Sequence, residues 1–179
     1  MNQYKIFPDN LNSHLFSVEL SFATQIDQTY HLSLPAWLPG SYMIRDFAKN
    51  IIEIYAHNGN QEKQQTIKSI PLNKTDKQTW QFVATGTSTV ITYQIFAFDL
   101  SVRTAYLDSE RGFFNGSSTF LQVQELPDEK CSLSILLPES IIKISPDKFT
   151  HWRVATGLTR AKATEKYQFG DYIANDYQE

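Results

Sequence analysis

A chain of 179 residues suits one domain, and 41% hydrophobic against 20% charged residues supports a packed core and excludes bulk disorder. The formal net charge is -3, with Lys and Arg scattered along the chain, which leaves no cationic stripe for nucleic acid or for an anionic membrane. The single cysteine, Cys131, forms no internal disulfide and builds no thiolate metal site alone.

The N-terminal run from Met1 to Pro8 lacks the apolar stretch of a signal peptide. No segment approaches the ~18 apolar residues of a membrane span, so the expected address is cytoplasmic. Aromatic residues make up 13% of the chain and favour strands. Period-two alternation then dominates. Phe16, Val18, Leu20 and Phe22 fall on one face of a strand, with Ser17, Glu19 and Ser21 on the other. Tyr30, Leu32 and Leu34 repeat the pattern, and so do Trp80 and Phe82. Between these runs, Tyr42 to Ile52 has room for a short turn of helix before a strand. Ser88 to Phe98 is the longest strand candidate, apolar on both faces, which predicts a central strand covered on each side. Thr119 to Val123, Leu133 to Leu137, Phe149 to Val154 and Thr164 to Phe169 continue the series. Cys131 sits in one of these runs and reads as a small buried side chain. Turn signals such as Asn58-Gly59-Asn60 and Asn115-Gly116-Ser117 punctuate the strands. The expected fold is all-β: a curved antiparallel sheet or β-sandwich with little helix, in a single domain spanning 1–179.

The catalytic inventory is sparse. A common zinc peptidase needs His-Glu-x-x-His on a helix, which aligns two imidazoles and a water-activating Glu. His14, His31, His57 and His151 are followed by Leu15, Leu32, Asn58 and Trp152, so none opens that motif. Neither a Gly-x-Ser-x-Gly elbow nor a phosphate-binding glycine loop occurs. Asp108 and Glu110 have the i, i+2 spacing of a carboxylate pair on a strand, but Asp-Ser-Glu-Arg-Gly also reads as a charged turn.

Three segments go beyond strand patterning. The first runs from Leu34 to Phe47, Leu-Pro-Ala-Trp-Leu-Pro-Gly-Ser-Tyr-Met-Ile-Arg-Asp-Phe; its prolines and Gly40 force an abrupt change of direction. The second is Lys74 to Trp80. The third is Val102 to Asp108, followed by Arg111-Gly112-Phe113-Phe114-Asn115-Gly116. In this order, from about Ser13 onward, they resemble the N-terminal domain of metallopeptidase family 61, the glycyl aminopeptidase family. The Trp-x-Pro-Gly-Ser-Tyr-x-x-Arg part is the most specific. The resemblance implies an all-β accessory domain preceding a thermolysin-like zinc domain. Phe169-Gly170-Asp171-Tyr172 resembles the approach to that domain. No catalytic or metal residue is transferred to this chain; zinc is expected downstream in the parent. The expected partners are that catalytic domain and, through it, a peptide substrate.

Trp37, Tyr42, Arg45, Arg103 and Asn115 are the candidates to face a cleft or partner domain. Each has a plainer reading. Trp37 is a corner plug in the core, Tyr42 a backbone hydrogen-bonder, Arg45 a local partner of Asp46, and Asn115 a turn residue. The alternative function is a stand-alone β-sandwich module binding carbohydrate or extended peptide, with Trp37, Tyr42, Trp80 and Trp152 as a stacking platform.

Overall fold

The computed structural model describes residues 1–59, 69–144 and 149–179. Its strands, in chain order, are β1 (Asn2–Asn10), β2 (Leu15–Ala23), β3 (Thr29–Ser33), β4 (Ile51–Asn58), β5 (Ser69–Ile70), β6 (Asn73–Lys74) and β7 (Thr79–Val83). They continue with β8 (Ser88–Phe96), β9 (Ala105–Leu107), β10 (Gly112–Phe114), β11 (Gln122–Val123), β12 (Cys131–Ile135), β13 (Thr159–Arg160) and β14 (Gly170–Ala174). The helical elements described are a tight 3-10 turn at Phe47–Asn50 and two short pieces, α1 (Gly116–Thr119) and α2 (Glu139–Ile144). The 3-10 turn falls within the stretch expected to hold one.

These strands form an open eight-stranded sheet ordered β13-β14-β12-β1-β2-β8-β4-β5, a four-stranded sheet ordered β11-β3-β7-β6, and the hairpin β9–β10. The pairings are antiparallel except β1 with β12, which run parallel. Alternation sets the layers. Phe16, Val18, Leu20 and Phe22 of β2 and Ile91, Tyr93 and Ile95 of β8 are buried on the inner face of the large sheet. They meet Tyr30 and Leu32 of β3 and Phe82 of β7; the Phe22 ring lies 5.7 Å from Tyr30 and 6.3 Å from Phe82. The outer face is polar, with Lys5 paired to Glu19 at 2.6 Å and Gln94 donating to Asp9 at 2.7 Å. Burial of one face only is what strict alternation selects.

Three tyrosines clasp the segment crossing between the sheets. Tyr93 donates to the Thr119 carbonyl at 3.0 Å and accepts from the Leu121 amide at 3.1 Å. Tyr4 donates to the Leu121 carbonyl at 2.9 Å and Tyr177 to that of Phe120 at 2.6 Å. Burial pushes all three phenols well above their usual ionisation range, and it lifts the Cys131 thiol to about 11.

Several expectations need correction. β8 is central, between β2 and β4, but it is covered chiefly on one face, because Thr92 and Gln94 remain partly exposed. Phe149 to Val154 and Thr164 to Phe169 hold no strand. Gly170 to Tyr172, in the stretch that resembles an approach to a following domain, belong to β14, paired with β12, and Tyr172 is buried.

Candidate functional site

The first and third singled-out segments converge on one corner of the molecule. After β3, the chain from Leu34 to Asp46 folds back on itself. The Ser41 amide donates to the Leu38 carbonyl at 3.0 Å, and the Arg45 amide to that of Ala36 at 2.8 Å. Gly40 has φ +79°, a left-handed conformation that L side chains resist. Trp37 is no core plug. It is half exposed, and its indole N–H donates to the Ser41 carbonyl at 2.7 Å, which fixes the loop from outside.

The loop after β8 comes alongside. Arg103 donates through Nη2 to the Gly40 carbonyl at 3.4 Å. The Thr104 hydroxyl donates to the carbonyls of Asp99 and Ser101 at 3.0 and 2.8 Å, winding the loop tightly. Asn115 joins from the other side. Its amide donates to the Thr104 carbonyl at 2.9 Å and its Nδ2 to that of Val102 at 3.4 Å. Asn115 Oδ1 also accepts from the Ser117 amide at 3.1 Å, capping α1, so its turn reading holds as well. Lys77, in the second segment, reaches Asp46 at 3.9 Å. Arg45 and Asp46 form no ion pair; the Arg45 Nε donates to Ser41 Oγ at 3.4 Å instead. Hydrogen bonds thus link Trp37, Arg45, Arg103 and Asn115 through two loops, and Tyr42 stands fully exposed between them.

Sequence reasoning missed the apolar surroundings. Met43, Ile44, Phe96 and Phe98 line a shallow depression of about 200 Å³ together with Arg45, Lys49, Asp99 and Thr104. Met43, Ile44 and Phe98 are more than half exposed, at 64%, 71% and 53%, and Leu100 and Val102 reach 68% and 69%. The available signal was the run of large apolar side chains in a loop, Ala97-Phe98-Asp99-Leu100-Ser101-Val102, where polar residues are the rule. Phe98 is held from below. His14 stacks on it at 3.9 Å, Tyr106 stacks at 5.4 Å, and the Arg111 guanidinium covers the Tyr106 ring at 5.5 Å.

Other candidates do not assemble. A larger cavity of about 540 Å³ opens between β1, β10 and the C-terminal segment, with Phe113, Trp152 and Tyr177 in its wall. Neither concavity is lined by Asp108, Glu110 or a histidine. Asp108 is instead the hub of a turn: Oδ1 accepts from the amides of Glu110 and Arg111 at 2.7 and 2.9 Å, and Oδ2 from Tyr106 at 2.9 Å. Burial raises its pKa, but these hydrogen bonds outweigh that and hold it below the usual carboxylate value. Trp80 is buried and Trp152 lines the larger cavity, so the four aromatics of the binding-module reading share no concavity. Among the described residues, no three His, Cys, Asp or Glu side chains gather to hold a metal. No helix among them is long and apolar enough to cross a membrane.

The fold and this corner together define a layered β domain with a loop-built apolar surface. Residues 3–179 match the Peptidase M61 N-terminal domain, and the chain belongs to that family. It is similar to an aminopeptidase N family protein from Idiomarina loihiensis, at 36% identity and a TM-score of 0.84. That match covers 99% of this chain and 27% of the Idiomarina protein, so the chain spans about a quarter of its relative. An M1 zinc metallopeptidase from Deinococcus radiodurans aligns at 8% identity and a TM-score of 0.44, over 96% of this chain and 37% of its own. A search of curated proteins found no match.

Proposed function

We propose that this chain is the non-catalytic N-terminal domain of a cytoplasmic zinc aminopeptidase of the glycyl type, and that its corner of two loops packs on the catalytic domain and shapes the peptide cleft. The observation that carries the reading is the exposed apolar group Met43, Ile44, Phe98, Leu100 and Val102, tied into one surface by the Arg103–Gly40 bond. Exposed apolar side chains gathered on two neighbouring loops and braced by stacked rings are suited to burial against a partner. Trp37, Tyr42, Arg45, Arg103 and Asn115 lie on or beside it, and in this reading they line the domain boundary. The domain contributes exclusion and positioning, limiting the length of peptide that enters and orienting it, while bond chemistry and zinc belong to the domain that follows.

Hydrogen exchange on this chain alone and on the full-length protein that carries it tests the reading. Protection of residues 40–45 and 98–104 in the longer protein is expected, with no hydrolysis of glycyl or alanyl anilides by this chain alone. Equal exchange in both, or anilide hydrolysis by the isolated chain, refutes it.

A further inference from the structure

Two arginines stand at the apolar corner with no ion-pair partner among the described residues. Arg45 is half-buried, and the only contact recorded for its guanidinium among the described residues is the 3.4 Å bond from Nε to Ser41 Oγ. Arg103 is also half-buried, and the contact of its guanidinium among the described residues is with the Gly40 carbonyl, again at 3.4 Å. Both bonds are long, to neutral acceptors, and neither guanidinium forms an ion pair among the described residues. Because Gly40 and Ser41 are adjacent, the turn aims both cations at the same part of the surface. Lys49 lines the depression beside Arg45 and adds a further positive charge to the corner. The carboxylate in its lining is Asp99, whose Oδ1 is already engaged by the Ser101 amide at 2.8 Å.

Exposed to water, such charges cost little. Under a neighbouring domain they lose hydration, and a buried guanidinium with no anion is among the more destabilising features an interface can hold. The planar fork of Arg also matches a carboxylate in two-pronged fashion, as a lysine does not. We infer that the surface covering this corner is acidic, and that it places Asp or Glu carboxylates against Arg45 and Arg103. The inference rests on the docking reading above and names the chemistry of the partner face. Apolar contact supplies attraction, and the charge pair sets the one orientation in which the domains close.

The test uses the full-length protein with Arg45→Glu/Arg103→Glu, and Arg45→Lys/Arg103→Lys as the conservative control. Labelling with p-hydroxyphenylglyoxal and mass spectrometry reads each arginine directly. Both are expected to react at least about tenfold more slowly in the full-length protein than in this chain alone, because paired and buried guanidiniums are inaccessible. Charge reversal is expected to raise hydrogen exchange of residues 98–104 by at least about tenfold, with the lysine variant intermediate. The same reversal in the isolated chain should leave its unfolding midpoint nearly unchanged, which separates docking from folding. Protection of residues 98–104 that survives reversal, or arginines as reactive in the unsubstituted full-length protein as in this chain alone while that protection is present, overturns the acidic face and leaves docking standing. Absence of that protection in the unsubstituted full-length protein overturns both.

Discussion

Tyr93 shows how much one side chain can hold. Its phenol donates to Thr119 and accepts from Leu121, so it satisfies two backbone groups in the layer between the sheets. Tyr93→Phe keeps the ring and removes both bonds. Leaving buried polar groups unpaired costs about 1–3 kcal/mol, so the urea midpoint should fall by a corresponding amount with little change in slope. The sign at high pH follows from the same burial. The folded-state pKa is raised, so the stabilisation is fully present below the unfolded value of about 10 and is lost as pH rises above it. The Phe variant should therefore lose stability less steeply than the parent on titration above that pH; an equal slope would assign the alkaline sensitivity to other groups. Residues of this kind are half legible in sequence. The alternation places Tyr93 inward, but the bond to Thr119 comes from a segment with no pairing signal. Trp37 failed as a core residue for the reverse reason: the two prolines mark a corner correctly, yet a corner can turn its ring outward.

Among the elements, the hairpin β9–β10 buries Ala105 and Leu107 in the core, and its turn is held by a carboxylate. Asp108 gathers the amides of Glu110 and Arg111, and its pKa is lowered. A lowered carboxylate stabilises above its unfolded pKa of about 3.9 and loses that contribution as pH falls through its folded value. Amide resonances of Glu110 and Arg111 should shift with a midpoint below about 3.9, and Asp108→Ala should abolish the transition and loosen the hairpin at neutral pH. An unchanged spectrum in that variant would dismiss the carboxylate as the hub. Elements with strict alternation, β2, β3 and β7, were readable because one face is buried throughout. β1 carries the same signal in Tyr4 and Ile6, but Pro8 obscures its end, and the ladder accommodates this with a register shift between Pro8 and Asn10. Phe149 to Val154 misled because Phe149 and Trp152 pack on each other at 5.2 Å without a partner strand.

At the scale of the whole molecule, the large sheet sets strands from the two ends of the chain on either side of β12, with β1 along one edge of it and β14 along the other. β1 pairs Asn2 with Cys131 of β12, and β12 in turn pairs Leu133 with Tyr172 of β14. Sequence periodicity identifies such strands one at a time and is silent on which distant strands meet, so the parallel β1–β12 pairing was not legible. The apolar corner was illegible for a related reason, since only the folded chain sets the 34–46 loop beside the 97–104 loop. The pairing has a consequence for any fragment of this domain. A chain ending at Gln168 loses β14, with it Tyr172, which is 1% exposed, and also Tyr177, which holds the Phe120 carbonyl. The inner side chains of β12, Cys131, Leu133 and Ile135, then lose their cover, and an unpaired ladder edge opens beside them. Such a fragment should show no cooperative unfolding and no near-ultraviolet circular dichroism, whereas Tyr42→Ser, on the exposed corner, should unfold like the parent. Cooperative unfolding of the shortened chain with an unchanged midpoint would mean that the sandwich is complete without its last strand.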